Sequence, residues 1–184
     1  AYADDSYLIF RSVDIGELLR TAKSVTENVT AWFRDSGLSV NVEKTVACLF
    51  SRKQLKIDNH LIIDNVAIPI SSSINVLGTI FHCHLDWTLE ADSRISKAIS
   101  SLHAFNKITK FFSVEQRYDI ATSVLYSQLY YNAGVWLNGC LRARCFGRLM
   151  SVSTRILRSC VGNDFISLNM LELHTLANLS LIHI

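Results

Sequence analysis

One proline, Pro69, stands in 184 residues, and several other scarcities are as informative. No apolar run approaches the ~18 residues of a membrane-spanning helix, because Asp, Asn, Arg or His interrupts every candidate. A helical membrane span is thereby excluded. The five cysteines (Cys48, Cys83, Cys140, Cys145 and Cys160) form no CxxC pair, and there is no signal peptide. Odd in number and scattered, they read as reduced thiols of an intracellular protein. The lack of internal repeats and low-complexity tracts excludes a repeat array. Charged residues make up only 18% against 49% hydrophobic, with a mean hydropathy of +0.24. That is more apolar than a free-standing soluble domain usually is, and it implies surface covered by another part of the same protein or by a partner. With neither an initiating Met nor a leader, the chain is expected to begin inside a longer protein.

What is present is unevenly placed. Residues 1–86 carry eight Lys/Arg against ten Asp/Glu, a net of −2, whereas residues 87–184 carry ten against six, a net of +4. Such an asymmetry suggests an acidic site beside a polyanion-binding part. Tyr7 to Phe10, aromatic and branched on both faces, reads as a buried strand. With Ala1 to Ala3 it makes a hairpin turning at Asp4-Asp5. Asp14, with Glu17 in the capping-box position, opens a helix. Its Ile15, Leu18, Leu19, Ala22, Val25, Val29, Trp32 and Phe33 form one stripe, closed by Ser36-Gly37. A strand follows at about Thr45 to Phe50. Short strands at Leu55–Ile57, Leu61–Ile63 and Val66–Ile70 are separated by Asp58-Asn59 and Asp64-Asn65, with Pro69 marking an edge strand. Ser71-Ser72-Ser73 is the softest point, and Ile74 to Leu85 reads as a second hairpin containing Gly78.

From Trp87 the period is helical. One helix is expected from Thr88 to about Lys110, with Ile95, Ala98, Ile99, Leu102 and Phe105 inward. A second opens at the capping box Ser113/Gln116 and runs to about Tyr131. A third spans about Leu141 to Cys160 and stops near Gly162, and a fourth pattern covers Ile166 to Leu179. The expected fold class is α+β, a sheet-and-helix piece followed by a helical bundle. His82-Cys83-His84 does not read as a zinc site, since alternate strand residues point to opposite faces and no second ligand pair follows at finger spacing.

Asp4-Asp5 is the strongest chemical signal. Adjacent carboxylates in a tight turn repel each other, so folding gains nothing from them unless a cation is held there. Such a turn is also compatible with simple solvation. Braced by a buried hairpin, the two acids would present hard oxygen ligands to Mg²⁺, and two ions ~3.5–4 Å apart can drive nucleotidyl transfer. In the third helix Arg144, Arg148, Arg155 and Arg158 share one face at ~100° per residue, opposite Leu141, Cys145, Leu149, Val152 and Ile156, with no acid between Cys140 and Cys160. An arginine stripe of this kind suits phosphate contact along a duplex, and equally a solvated basic face. The aromatics Phe105, Phe111, Phe112, Tyr118, Tyr126 and Tyr130 read mainly as core, with base stacking the lesser reading.

Four blocks in order carry a resemblance: Y-A-D-D; S-G-L-S-V-N-V-E-K-T; N-V-L-G-T-I-F-H-C-H-L-D-W; and S-V-L-Y-S-Q-L-Y-Y-N-A-G-V-W. From Tyr2 to about Leu179 the chain resembles the reverse transcriptases of non-LTR, LINE-like (jockey-type) retrotransposons. The resemblance implies that residues 1–71 are the C-terminal part of a polymerase palm. Residues 72–86 would be the primer-grip hairpin and residues 87–178 the helical thumb with the start of the following segment. Asp4 would be the principal and Asp5 an accessory ligand of two Mg²⁺ ions, with Mn²⁺ as an alternative. Gly37-Leu38, Asn41 and Lys44-Thr45 match the next palm motif, in which Lys44 would lie near the nucleotide phosphates; an exposed lysine ahead of a strand fits as well. Val76, Leu77 and Gly78 match the primer grip, although Gly78 could equally mark a plain bulge.

The function implied is RNA-directed DNA polymerisation, with an RNA template and a DNA primer as partners, no membrane and no obligate protein partner evident. A nuclear and cytoplasmic ribonucleoprotein location goes with it. The alternative is a non-catalytic nucleic-acid-binding remnant. In that family a third metal-binding carboxylate and the fingers lie upstream of the Y-A-D-D block, so the chain alone is expected to be inactive. Leu179 to Ile184 reads as the translation of a transposase end sequence used in library preparation, and residues 179–184 are expected to be non-native.

Overall fold

The computed structural model describes residues 5–51, 60–63, 66–140 and 144–161. Asp4, the strand expected at 55–57, the turns at 58–59 and 64–65, Leu141, the helical pattern from Ile166 and the tail at 179–184 lie outside them. The architecture is mixed α+β and mostly helical. It divides into two units, Ala1–Ile74 with His82–Leu85, and Asn75–Phe81 with Asp86–Ile184.

In the first unit α1 spans Ile15–Asp35. Its start is set by Asp14, whose carboxylate accepts the Glu17 N–H at 2.8 Å. The capping box is modified. The Glu17 carboxylate accepts from the Ser12 hydroxyl at 2.7 Å rather than from Asp14, and that hydroxyl accepts the Asp14 N–H at 3.2 Å. The helix ends in a Schellman motif, with Leu38 N–H to Phe33 C=O at 2.8 Å and Gly37 N–H to Arg34 C=O at 3.0 Å. Gly37 takes φ +74°, a conformation only glycine adopts at little cost. α1 lies against β2, yet only Ala22 of its apolar stripe is fully buried, and Trp32 remains 62% exposed.

A three-stranded sheet has the order β1-β3-β2, with β1 at Ala47–Cys48, β2 at His60–Ile63 and β3 at Val66–Ser71. β3 pairs antiparallel with β2 and parallel with β1. Pro69 is therefore in the central strand and not at an edge. It is tolerated because both ladders end there: it faces His60, the first residue of β2, and β1 begins to pair only at Ile70. The strand expected from Thr45 to Phe50 shrinks to two residues. The strand expected at Tyr7–Phe10 does not form. Residues 6–12 belong to no helix or strand, and Ile9 is 91% exposed, because an apolar run becomes a buried strand only where a neighbouring strand takes up its N–H and C=O groups. The serine run is a tight corner: β3 ends at Ser71 and β4 starts at Ser73, while Ser72 C=O accepts from Cys83 N–H at 2.7 Å.

β4 (Ser73–Val76) and β5 (Thr79–His82) form a hairpin whose tip belongs to the second unit. The rest of that unit is helical. α2 runs from Thr88 to Ile108, started by Asp86, whose carboxylate accepts the Thr88 N–H at 3.0 Å and its hydroxyl at 2.7 Å. A 3₁₀ turn at Thr109–Phe111 follows. The capping box Ser113/Gln116 opens α3 (Val114–Ile120) as expected, with both of its bonds made. A π-helical segment, Ala121–Tyr126, then carries the chain into α4 (Ser127–Leu129). The widened turn exposes carbonyls that hydroxyls satisfy, Ser123 Oγ to Asp119 O and Ser127 Oγ to Ser123 O, each at 2.7 Å. α5 (Ala133–Cys140) has no counterpart in the sequence reading, and α6 occupies Arg144–Val161.

These helices enclose one core built from Ala91, Ile95, Ala98, Leu102, Leu125, Leu129, Trp136, Leu149 and Ile156 among others. Tyr126 and Tyr130 stack with centroids 6.1 Å apart and both reach buried Ser153. One donates to its carbonyl at 3.0 Å, and the other shares a 2.6 Å hydrogen bond with its hydroxyl. Trp87 packs edge-on against Phe81 at 5.3 Å. Its ring also fills the space a side chain at Gly139 would need, since a Cβ there would stand 2.2 Å from Trp87 Cδ1. Five free thiols are not what the structure holds. Cys140 and Cys145, with Cα atoms 6.1 Å apart where α5 gives way to α6, form a disulfide, whereas Cys48, Cys83 and Cys160 are free. Sequence spacing does not reveal that two buried helix ends bring these sulfurs together.

Candidate nucleic-acid interface

The residues marked out by sequence lie in three places. In the first unit Asp5 is exposed and accepts a hydrogen bond from the Tyr7 hydroxyl at 3.1 Å. One carboxylate is a single ligand where Mg²⁺ needs near-octahedral coordination. Among the described residues no group of three or more His, Cys, Asp or Glu could hold a metal. Lys44 ends a 3₁₀ turn, Val42–Lys44, with its side chain exposed. The turn is fixed by Asn41, whose side chain accepts the Lys44 N–H at 3.2 Å and whose carbonyl accepts from the Thr45 hydroxyl at 2.8 Å. In the same unit His84 Nδ1 lies 2.8 Å from Ser51 O. Burial, and then nearby Cys83, push the Cys48 thiol above its ordinary pKa.

The hairpin tip is held by several side chains of the second unit. Leu77 and Gly78 form the two-residue turn with φ +49° and +80°, both positive as a type I′ hairpin requires. Glycine adopts this conformation freely. For a bulky leucine it is rare and costs roughly 1–2 kcal/mol, so the surroundings have to impose it. They do so through four side chains. Glu90, fully buried on the first turn of α2, accepts the Ile80 N–H at 2.7 Å and pairs with Arg94 Nε at 2.5 Å. Arg94, itself only 5% exposed, donates from Nη2 to the Gly78 carbonyl. Tyr131 donates its hydroxyl to the Leu77 carbonyl at 3.0 Å, with the Arg94 guanidinium 4.5 Å from its ring centroid. Asn132, also left-handed at φ +52°, donates to the buried Thr79 hydroxyl at 3.0 Å. Trp136 Nε1 holds the Tyr131 carbonyl at 2.9 Å from behind. The Leu77 side chain is left 45% exposed at the tip.

Sequence reading singled out Leu77 and Gly78 but none of their supports. The available signal is the i,i+4 spacing of Glu90 and Arg94, which interrupts the buried stripe of Ala91, Ile95 and Ala98 with a pair of opposite charges.

The arginines of α6 form the third place. The apolar face opposite them is buried, with Cys145, Leu149, Val152 and Ile156 all in the core. The basic face is not an unpaired stripe. Arg148 Nη1 bonds Asp92 of α2 at 2.5 Å, an acid that the helix's own sequence could not reveal. Arg144 and Arg155 are exposed. Arg158 is half-buried, and its Nε is enclosed without a hydrogen-bond partner among the described residues. No family model, curated protein or solved structure matches the chain.

Proposed function

We propose that the chain is part of an RNA-directed DNA polymerase of the non-LTR retrotransposon kind, contributing palm, primer grip and thumb. The observation that carries this reading is the turn at Leu77–Gly78. A backbone conformation unfavourable for leucine is held by a buried ion pair at the position where the block N-V-L-G falls. Buried charge pairs contribute little net stability. One devoted to a turn's backbone is better explained by what the turn must meet. The arrangement supports a rigid tip presented to a nucleic-acid strand, with a helical bundle behind it. The resemblance assigns the metal chemistry to Asp4 and Asp5, together with carboxylate outside this chain.

The test is to join the chain to the fingers and upstream palm of such a polymerase and measure Mg²⁺-dependent extension of a DNA primer on RNA. Extension that is lost on Asp4→Asn is the expected result. Extension indifferent to Asp4→Asn and Asp5→Asn would sink the reading.

A second reading, a nucleic-acid-binding remnant without catalysis, has an observation of its own. Arg144 and Arg155 are exposed on α6, and Arg158 Nε has no hydrogen-bond partner among the described residues. Duplex binding weakened by Arg155→Ala and Arg158→Ala, with no extension by the joined polymerase, would favour it.

A further inference from the structure

We propose that the C-terminal end of α2 and the turn after it form a binding site for a single nucleic-acid strand, with His103, Lys107 and Lys110 on phosphates and Phe111 stacking against a base. From Ser93 to Val114 there is no acidic residue. His103 and Lys107 are one helical turn apart, ~40° from each other around the axis, and Lys110 continues the row into the 3₁₀ turn; all three are exposed. The acids just before this stretch are already engaged, Glu90 by Arg94 and Asp92 by Arg148. The next acid along the chain is Glu115, in the first turn of α3. At the tip Phe111 is 71% exposed, with the Lys110 ammonium 5.0 Å from its ring centroid, and neighbouring Ile108 is exposed too.

Lys107, in the last turn of α2, also suits the negative end of the helix dipole. That favours a cation there and gives no reason for a phenylalanine to stand in water beside it. The sign of the charge selects a polyanion. An exposed aromatic ring under an ammonium selects one that carries flat, stackable groups. Bases of an unpaired strand offer their faces, whereas those of a duplex are stacked on one another, which favours a single strand. The inference rests on the nucleic-acid half of the proposed reading and needs no catalysis.

The test uses the chain itself with a fluorescent 15-mer of oligo(dT) or oligo(U), the same length in duplex form, an acidic peptide, and vesicles of phosphatidylserine and phosphatidylcholine. Phe111→Ala is expected to weaken single-strand binding about tenfold, the range of one base–aromatic stack. Lys107→Gln with Lys110→Gln is expected to reduce the salt slope of that binding by about 1.4, two phosphate contacts on a single strand. All three positions are at the surface, so the helical circular dichroism is expected to stay unchanged. Single-strand affinity and salt slope unaltered in both variants would overturn the site, and so would tighter binding to the acidic peptide or the vesicles than to the oligonucleotide. Extension by the joined polymerase is scored separately. Its absence counts against the polymerase reading alone, whereas unaltered oligonucleotide binding counts against this site alone.

Discussion

Glu90 has no exposed surface, and its carboxylate is met by the Ile80 N–H on one oxygen and by Arg94 on the other. Removing one member leaves the other's charge buried and alone. Arg94→Ala is accordingly expected to cost about 3–5 kcal/mol, seen as a lower urea midpoint. In a double-mutant cycle Glu90→Ala with Arg94→Ala should cost clearly less than the two single changes added together. Additive losses would mean that the pair does not act as a unit. At this scale the sequence was half legible. Leu77 and Gly78 stood out through the resemblance of the N-V-L-G block, and Glu90 and Arg94 could be paired by spacing. That the pair reaches back to Gly78, 16 positions away, or that Tyr131 lies over the same turn from 54 positions away, depends on packing. Asp92 finding Arg148 is the same kind of fact.

Among the elements, those with their own stop and start signals were readable. Asp14, Ser36-Gly37 and the Ser113/Gln116 box placed helix ends because capping is settled within a few residues. α5 was missed because Gly134 and Gly139 dilute its pattern, and its place is fixed by Trp136 in the core rather than by propensity. The π-helical segment was invisible for a related reason. What sustains it is the fit of Ala121, Leu125 and Leu129 to the core, together with two tyrosines on Ser153. Tyr130→Phe would leave the buried Ser153 hydroxyl short of a partner, at an expected cost of about 1–3 kcal/mol. A thermal melt followed by circular dichroism would register it, and a melting temperature equal to the parent's would refute the role given to the Tyr130–Ser153 hydrogen bond. In the strands, Tyr7–Phe10 and Pro69 were misjudged because apolar patterning reports burial but is silent about which strand pairs with which.

For the molecule as a whole, the apolar composition is explained in part. The second unit has a continuous core, while α1 of the first leaves most of its stripe incompletely covered. The core sets a pH response. Burial is the main cause that raises the Cys160 thiol from 9.0 to about 12, against a smaller lowering by Arg117. Burial likewise raises the Tyr126 and Tyr118 hydroxyls. A raised pKa in the folded state means that below about pH 9 the thiol is protonated whether the chain is folded or not, and its contribution is fully present. Between about 9 and 12 only the unfolded thiol ionises, so stability falls with rising pH, by at most about 1.4 kcal/mol per pH unit for each such group. The denaturation midpoint is expected to drop across that window, and Cys160→Ala to flatten the drop. A midpoint independent of pH from 9 to 12 would show that the thiol is not buried as described. One consequence of the fold runs between distant positions. Trp87 occupies the place of a missing side chain at Gly139 while touching Phe81 on β5. A larger residue at 139 would push that indole off the hairpin strand. In genetic terms, a defect arising on α5 would find its second-site suppressor at Trp87, 52 residues upstream, because a smaller ring there gives back the space that the glycine had left.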